Sequence, residues 1–282
     1  MDEQERYRKE HLRTWREVLE YNEQLCSSKR IWIFRGQSCA AWDLKTSLER
    51  ATERFQIDSA RLPQVEKGLL REFKRHVHRY VTGPPKAGEL AEWLALMQHY
   101  GAPTRLLDWT YSFFVAVFFA IEKAKPGQCC AVWMLDCDCL RERIKACCTG
   151  RDLDLIRLDP DLKRQKTLKA LLEGNAKAVF RLNPMRLNPR LVSQQGVFLV
   201  PTDVKRPFME NVQGMFGSDD SPEGFRKAVV HVDHPLLEDV ILRLHRMNIS
   251  RATLFPDLDG FAASLENKII IPEAIVPKGL EA

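Results

Sequence analysis

The longest unbroken apolar run in the chain, Phe113–Ile121, contains nine residues. A membrane-spanning helix needs about 18–20, so no span is expected and the run has to be buried inside a protein core. It reads as the centre of an apolar helix over Tyr111–Lys125, broken by Pro126-Gly127 and followed by a buried strand at Cys130–Leu135. The rest of the chain has to supply the cover for these two elements.

Upstream, Met1–Cys26 alternates charge with Leu12, Trp15, Val18, Leu19 and Leu25, which predicts a single amphipathic helix. Ile31–Phe34 reads as a short buried strand ended by Arg35-Gly36. A second helix is expected over residues 59–81 and a third over Ala87–Tyr100, closed by Gly101 and Pro103. Thr104–Thr110 is expected to be a tight polar connection. Beyond the central strand, residues 136–175 read as charged and helical. Strands are expected at Ala178–Leu182, Gly196–Val200, Ala228–Val232 and Ile249–Leu254, and helices at Pro235–Met247 and from Phe255-Pro256 through Asn267. Val204–Gly224, rich in Gly, Pro, Ser and Asp, reads as a long loop. Helices dominate the first half and strands the second without regular alternation. This predicts an α+β fold: a helix-rich N-terminal half packed on a mostly antiparallel mixed sheet. The domain reading is a helical extension at 1–27, a main domain at 28–265 and a tail at 266–282.

A hydrophobic content of 45% is enough to bury a real core. The net charge of +5 permits a phosphate-bearing partner without requiring one. Met1–Arg16 is densely charged with no apolar h-region, so no secretory signal is expected. Eight cysteines in such a chain predict reduced thiols in a cytoplasmic protein. Six of them crowd into Cys129–Cys148, but adjacent Cys-Cys pairs chelate poorly and no metal site is expected. Walker A, G-x-G-x-x-G, H-E-x-x-H and G-x-S-x-G motifs are all missing. Basic runs such as Arg71–Arg79 and Lys163–Lys169 read as solvated helix faces.

Two segments concentrate polar chemistry. In the first, Arg35 follows a buried strand, where a guanidinium is costly unless it meets an anion. Either a structural carboxylate or a ligand can supply that anion. Gly36 lets a ligand or neighbouring backbone approach closely, and Gln37 extends the polar patch. The second segment runs from Gln98 to Trp109 between two helices, so it cannot be floppy. It offers Gln98, Thr104 and Arg105 for binding, and His99 and Tyr100 for stacking or proton transfer. Asp108 and Trp109 read as parts of a rigid corner. Gln195 sits at a strand entrance, and Asp257 and Asp259 open a helix where capping is the ordinary role for an Asp.

Phe34-Arg35-Gly36-Gln37 followed by Gln98-His99-Tyr100-Gly101-x-Pro103-Thr104-Arg105-Leu106-Leu107-Asp108-Trp109-Thr110 resembles the FRG domain family, named for its Phe-Arg-Gly motif. Leu254-Phe255-Pro256-x-Leu258-x-Gly260 is similar to that family's late motif, and the resemblance extends over about residues 28–265. Phe113 departs from the proline expected soon after the tryptophan. The resemblance implies a bacterial or phage-associated protein of largely unassigned activity. An early strand-end arginine, a polar segment and a late acid also look similar to the parts of NAD-using ADP-ribosyltransferases. On that reading Arg35 clamps the pyrophosphate of NAD, His99 or Tyr100 stacks on the nicotinamide, and Asp257 or Asp259 acts as the late acid. The competing reading is a non-catalytic module that binds a nucleotide or nucleic acid in the same pocket.

Overall fold

The computed structural model describes residues 8–147, 169, 173, 176–216 and 224–271. The first seven residues, most of 148–175 with the basic run at 163–168, and the tail beyond 271 lie outside the described residues. Seven strands form one sheet: β1 (Arg8–Leu12), β2 (Trp32–Gln37), β3 (Leu107–Thr110), β4 (Cys129–Asp136), β5 (Val179–Leu182), β6 (Gly196–Pro201) and β7 (Phe225–His231). Their spatial order is β1-β7-β4-β2-β3-β6-β5, and only β1 with β7 runs parallel. The fold is α+β on a mostly antiparallel mixed sheet, as expected.

Both faces of the sheet are covered, which is why its central strands read as continuous apolar runs. Side chains alternate across a strand: Cys130, Val132 and Met134 of β4 enter one core, while Trp133 and Leu135 enter the other. The first core is closed by α1 (Trp15–Ser27), α5 (Phe113–Ile121) and α9 (His234–Arg246). The second is closed by α6 (Cys137–Cys147) and α8 (Phe208–Phe216). Helix α4 (Leu90–His99) packs Leu94 and Ala95 on Phe198 and Val200 of β6. Helices α2 (Ser47–Arg54) and α3 (Leu62–His76) meet through Leu48 and Leu62.

Several expectations are corrected. Arg8–Leu12 is a strand rather than the start of the first helix, because Thr14 and Glu17 form a reciprocal capping box that starts α1 at Trp15. Leu107–Thr110 is a strand whose buried Leu107 and Trp109 flank exposed Asp108. Part of the expected loop at 204–224 is helix α8, whose Phe208 N–H donates to Glu49 Oε2 at 3.2 Å and whose Phe208 and Val212 are buried. Two short helices, α7 (Pro189–Ser193) and α10 (Arg251–Leu254), complete the region, and α10 occupies what read as a last strand. Ser250 caps α10 by accepting from the Thr253 N–H. Helix α11 (Leu258–Ser264) follows.

One glycine holds the sheet and its main helix together. A Cβ at Gly36 would overlap the Ala116 carbonyl oxygen and the Ala120 nitrogen of α5. The close approach that glycine allows at this site is therefore taken by protein backbone. Overpacking a core costs about 1–3 kcal/mol, and more where backbone is the obstacle. Gly36→Ala should therefore lower the melting temperature by about 6 °C or more, measured by circular dichroism. An unchanged melt would show that α5 moves freely off β2.

Candidate functional site

A cleft of about 990 Å³ opens beside the ends of β2 and β3. Its walls come from Phe34–Ser38, Ala41–Asp43 with Lys45, Arg50 and Glu53 of α2, Asp108–Thr110, the end of α5 with Glu122 and Lys123, and the group Arg190, Gln194, Arg251 and Phe255.

Arg35 projects from the sheet face opposite Gly36. Its side chain is half-buried; Nη1 donates to the Asp108 carbonyl oxygen at 2.6 Å, and Nε is sealed from solvent without a partner. No carboxylate among the described residues pairs with it. Burial pushes its pKa below the usual value; the Asp108 charge offsets this in part, and the like charge of Arg50 pushes it further down. Six cationic side chains line the cleft against four acidic ones. Lys45 is paired with Glu53 at 2.7 Å and Arg251 with Glu122 at 2.5 Å. Arg35, Arg50, Lys123 and Arg190 have no carboxylate partner among the described residues.

The polar residues of the second segment mostly build the frame around Arg35. Gln98 Nε2 donates to Asp108 Oδ2 at 2.7 Å, and its Oε1 accepts from the Thr104 hydroxyl at 2.6 Å. Thr104 is fully buried, and its hydroxyl also accepts the Leu106 N–H. This network sets the position of Asp108, and hence of the carbonyl that holds Arg35. Gln37 is likewise engaged: it accepts from Trp133 Nε1 at 2.6 Å and donates to the Asp43 carbonyl at 3.1 Å. It fixes the loop that carries Trp42 to the rim.

The structure separates the other expected site residues from the cleft. Arg105 is buried in a two-pronged pair with Glu66 of α3, and Nη1 reaches the Pro201 and Thr202 carbonyls. No hydrogen-bonding capacity on that side faces a ligand. His99 and exposed Tyr100 stack edge to face at 4.8 Å outside the lining, and His99 Nδ1 is buried without a partner. Burial and then Arg190 hold the His99 pKa below its ordinary value, with Asp257 opposing. Asp257 caps α11 by accepting from the Gly260 N–H at 2.6 Å, and Asp259 lies exposed in the first turn. Gln195 is an exposed turn residue with φ of +46°.

Its neighbour Gln194 lines the cleft instead, donating to the Leu254 carbonyl at 3.0 Å and accepting from the Thr110 hydroxyl at 2.6 Å. Arg190 and Arg251 each sit 4.4 Å from the centre of the Phe255 ring. Gly260 packs against Phe255 where a Cβ would overlap it. Only the late motif signalled this wall. The arginines themselves carry no motif and sit in polar stretches that read as surface.

Residues 30–129, about a third of the chain, match the family model of the FRG domain. The chain carries an FRG domain. Comparison with curated proteins and with solved structures yields no match. The FRG segment contributes Arg35, Gly36, Gln37, Arg50 and Asp108 to the cleft, while Arg190, Gln194, Arg251 and Phe255 come from beyond it. The FRG arginine and glycine thus face opposite ways, one toward the cleft and one toward α5.

Two measurements follow. Glu66→Gln leaves the buried Arg105 guanidinium without its counter-charge, so urea denaturation should show a loss of about 3–5 kcal/mol. A loss below about 1 kcal/mol would mean that the pair is solvated. A histidine whose folded pKa is depressed adds stability that is full above about pH 6.5 and declines as pH falls toward the folded value. Stability should therefore drop on acidification. His99→Gln should flatten part of that slope, with His231, which is shifted the same way, contributing a further part; an identical slope in the variant would count against the assignment.

Proposed function

We propose that the cleft of this FRG-domain protein binds a nucleotide-type anion, with phosphate at Arg35 and Arg50 and the base against Trp42. The observation that carries the reading is Arg35 itself: a partly buried guanidinium with a carbonyl acceptor at Nη1, no carboxylate partner among the described residues and a second guanidinium near enough to depress its pKa. Two uncompensated cations beside an open cleft are stabilised by an anion that bridges them, and planar guanidinium groups suit phosphate oxygens. Trp42 is 57% exposed at the rim and offers an aromatic face, whereas Phe255 is engaged by two arginines. NAD is the first candidate because its pyrophosphate and aromatic rings match both features.

Turnover of NAD by ADP-ribosyl transfer is the finer reading, and its acid has to be reassigned. Asp257 and Asp259 lie outside the cleft lining, so Asp108 is the carboxylate nearest in role, able to stabilise an oxocarbenium-like centre. Binding without turnover is favoured by the state of three of the four cleft acids: Glu53, Glu122 and Asp108 are each already held by a protein partner. Nucleic acid would use the same phosphate and base contacts along a longer track.

Calorimetric titration with NAD, ADP and inorganic pyrophosphate tests the reading. Charged hydrogen bonds are worth about 1.5–3 kcal/mol, so Arg35→Ala should weaken all three ligands by about tenfold or more. Trp42→Ala should weaken NAD and ADP but spare pyrophosphate. Equal affinity for wild type and a folded Arg35→Ala protein would remove the basis of the proposal. Nicotinamide release that stops in Asp108→Asn would establish transfer over binding alone.

A further inference from the structure

A second group of reactive side chains stands at the end of the sheet near β1, outside the cleft lining. Cys129 begins β4, His231 ends β7 directly opposite it, and His11 lies on β1 beside β7. Cys129 Sγ is 3.4 Å from His231 Nδ1, and His231 Nε2 is 2.9 Å from His11 Nδ1. A single tautomer satisfies both contacts: the thiol donates to Nδ1 of His231, whose Nε2–H donates to His11. Such a chain links a nucleophile to a base, and the base to a third group that orients it.

Geometry, not the basicity of the ring, carries the contact: burial, His11 and the charge of Arg13 hold the His231 pKa below its ordinary value, which leaves Nδ1 free to accept the thiol hydrogen bond. Cys129 is a free, half-buried thiol, and His11 on its far side is exposed. The adjacent Cys130 provides a contrast within the same strand. It faces the core, and burial pushes its thiol up to about 12.

We propose that Cys129 is a nucleophilic thiol, activated by the His231–His11 pair, that exchanges with low-molecular-weight disulfides. The thiol proton passes to His231 Nδ1 and the thiolate attacks one sulfur of the disulfide. The disulfide bond breaks as the bond to Cys129 forms, and the departing thiolate takes the proton from His231. Cys129 is oxidised to a mixed disulfide, and the incoming disulfide is reduced to one thiol.

The test treats the full chain at neutral pH with oxidised glutathione and, separately, with iodoacetamide, mapping adducts by peptide mass spectrometry over time. Exposed Cys26, which has no histidine partner among the described residues, is the internal reference. An unperturbed cysteine is only a few per cent thiolate near pH 7, so an activated Cys129 should react about tenfold faster than Cys26 with both reagents, despite being less exposed. His231→Gln should bring Cys129 down to the Cys26 rate while Cys130 stays unlabelled, reporting an intact core. His11→Gln, which removes an exposed ring, should produce part of the same loss. A Cys129 rate no higher than that of Cys26, or one indifferent to both substitutions, overturns the proposal. Fast alkylation without glutathione capture overturns the disulfide assignment.

Discussion

The backbone of α5 lies against β2 at Gly36, where no side chain fits between them. Because strand side chains alternate in direction, seating Gly36 on the helix turns Arg35 and Gln37 to the opposite face. There Gln37 is absorbed by Trp133 and the Asp43 carbonyl, while Arg35 is left with a single carbonyl acceptor. The contact that closes the first core is thus the same one that aims a guanidinium at the cleft. A larger residue at position 36 would disturb both.

Electrostatics makes that guanidinium unusual. A buried arginine in this fold can be fully compensated, as Arg105 is by Glu66 and two carbonyls. Among the described residues Arg35 has one carbonyl acceptor and no carboxylate partner, and the Asp108 carboxylate is turned toward Gln98. The chain therefore carries two arginines of similar sequence appearance with opposite fates. Arg105 stabilises the junction of α3 with β6, whereas Arg35 keeps unspent hydrogen-bonding capacity beside a cavity.

Fold class was legible because periodicity reports burial. The central strand at Cys129–Asp136 and helix α5 stand out as apolar runs since both are covered on all sides. Strand β3 was hidden by its composition: Asp108 interrupts it, and its pairing comes from β2 and β6, distant in sequence. The candidate site was legible only in its first half. Arg35 announced itself by charge at the end of an apolar strand, but Arg190 and Arg251 reach the cleft through tertiary packing around Phe255. Gln194 and Gln195 are adjacent in sequence and opposite in role. Only the turn geometry at Gln195, with its positive φ, decides which of them faces inward.

In this chain the FRG-matched segment does not form a complete sheet by itself. Residues 30–129 contain β2 and β3 in full, and these two meet through a single residue pair, Phe34 with Thr110. The long pairings of β2 are with β4, and those of β3 are with β6, almost entirely beyond the matched segment. The second core likewise draws Phe208, Val212 and Phe225 from downstream. The matched segment therefore supplies the middle of a sheet whose hydrogen bonds must be completed by neighbouring strands. The cleft repeats that arrangement on a smaller scale, since its Arg35 wall comes from within the FRG segment and its Phe255 wall from outside. The downstream chain thus completes the sheet and the second wall in the same stroke, and a different downstream sequence could reshape that wall while leaving the Arg35 wall in place.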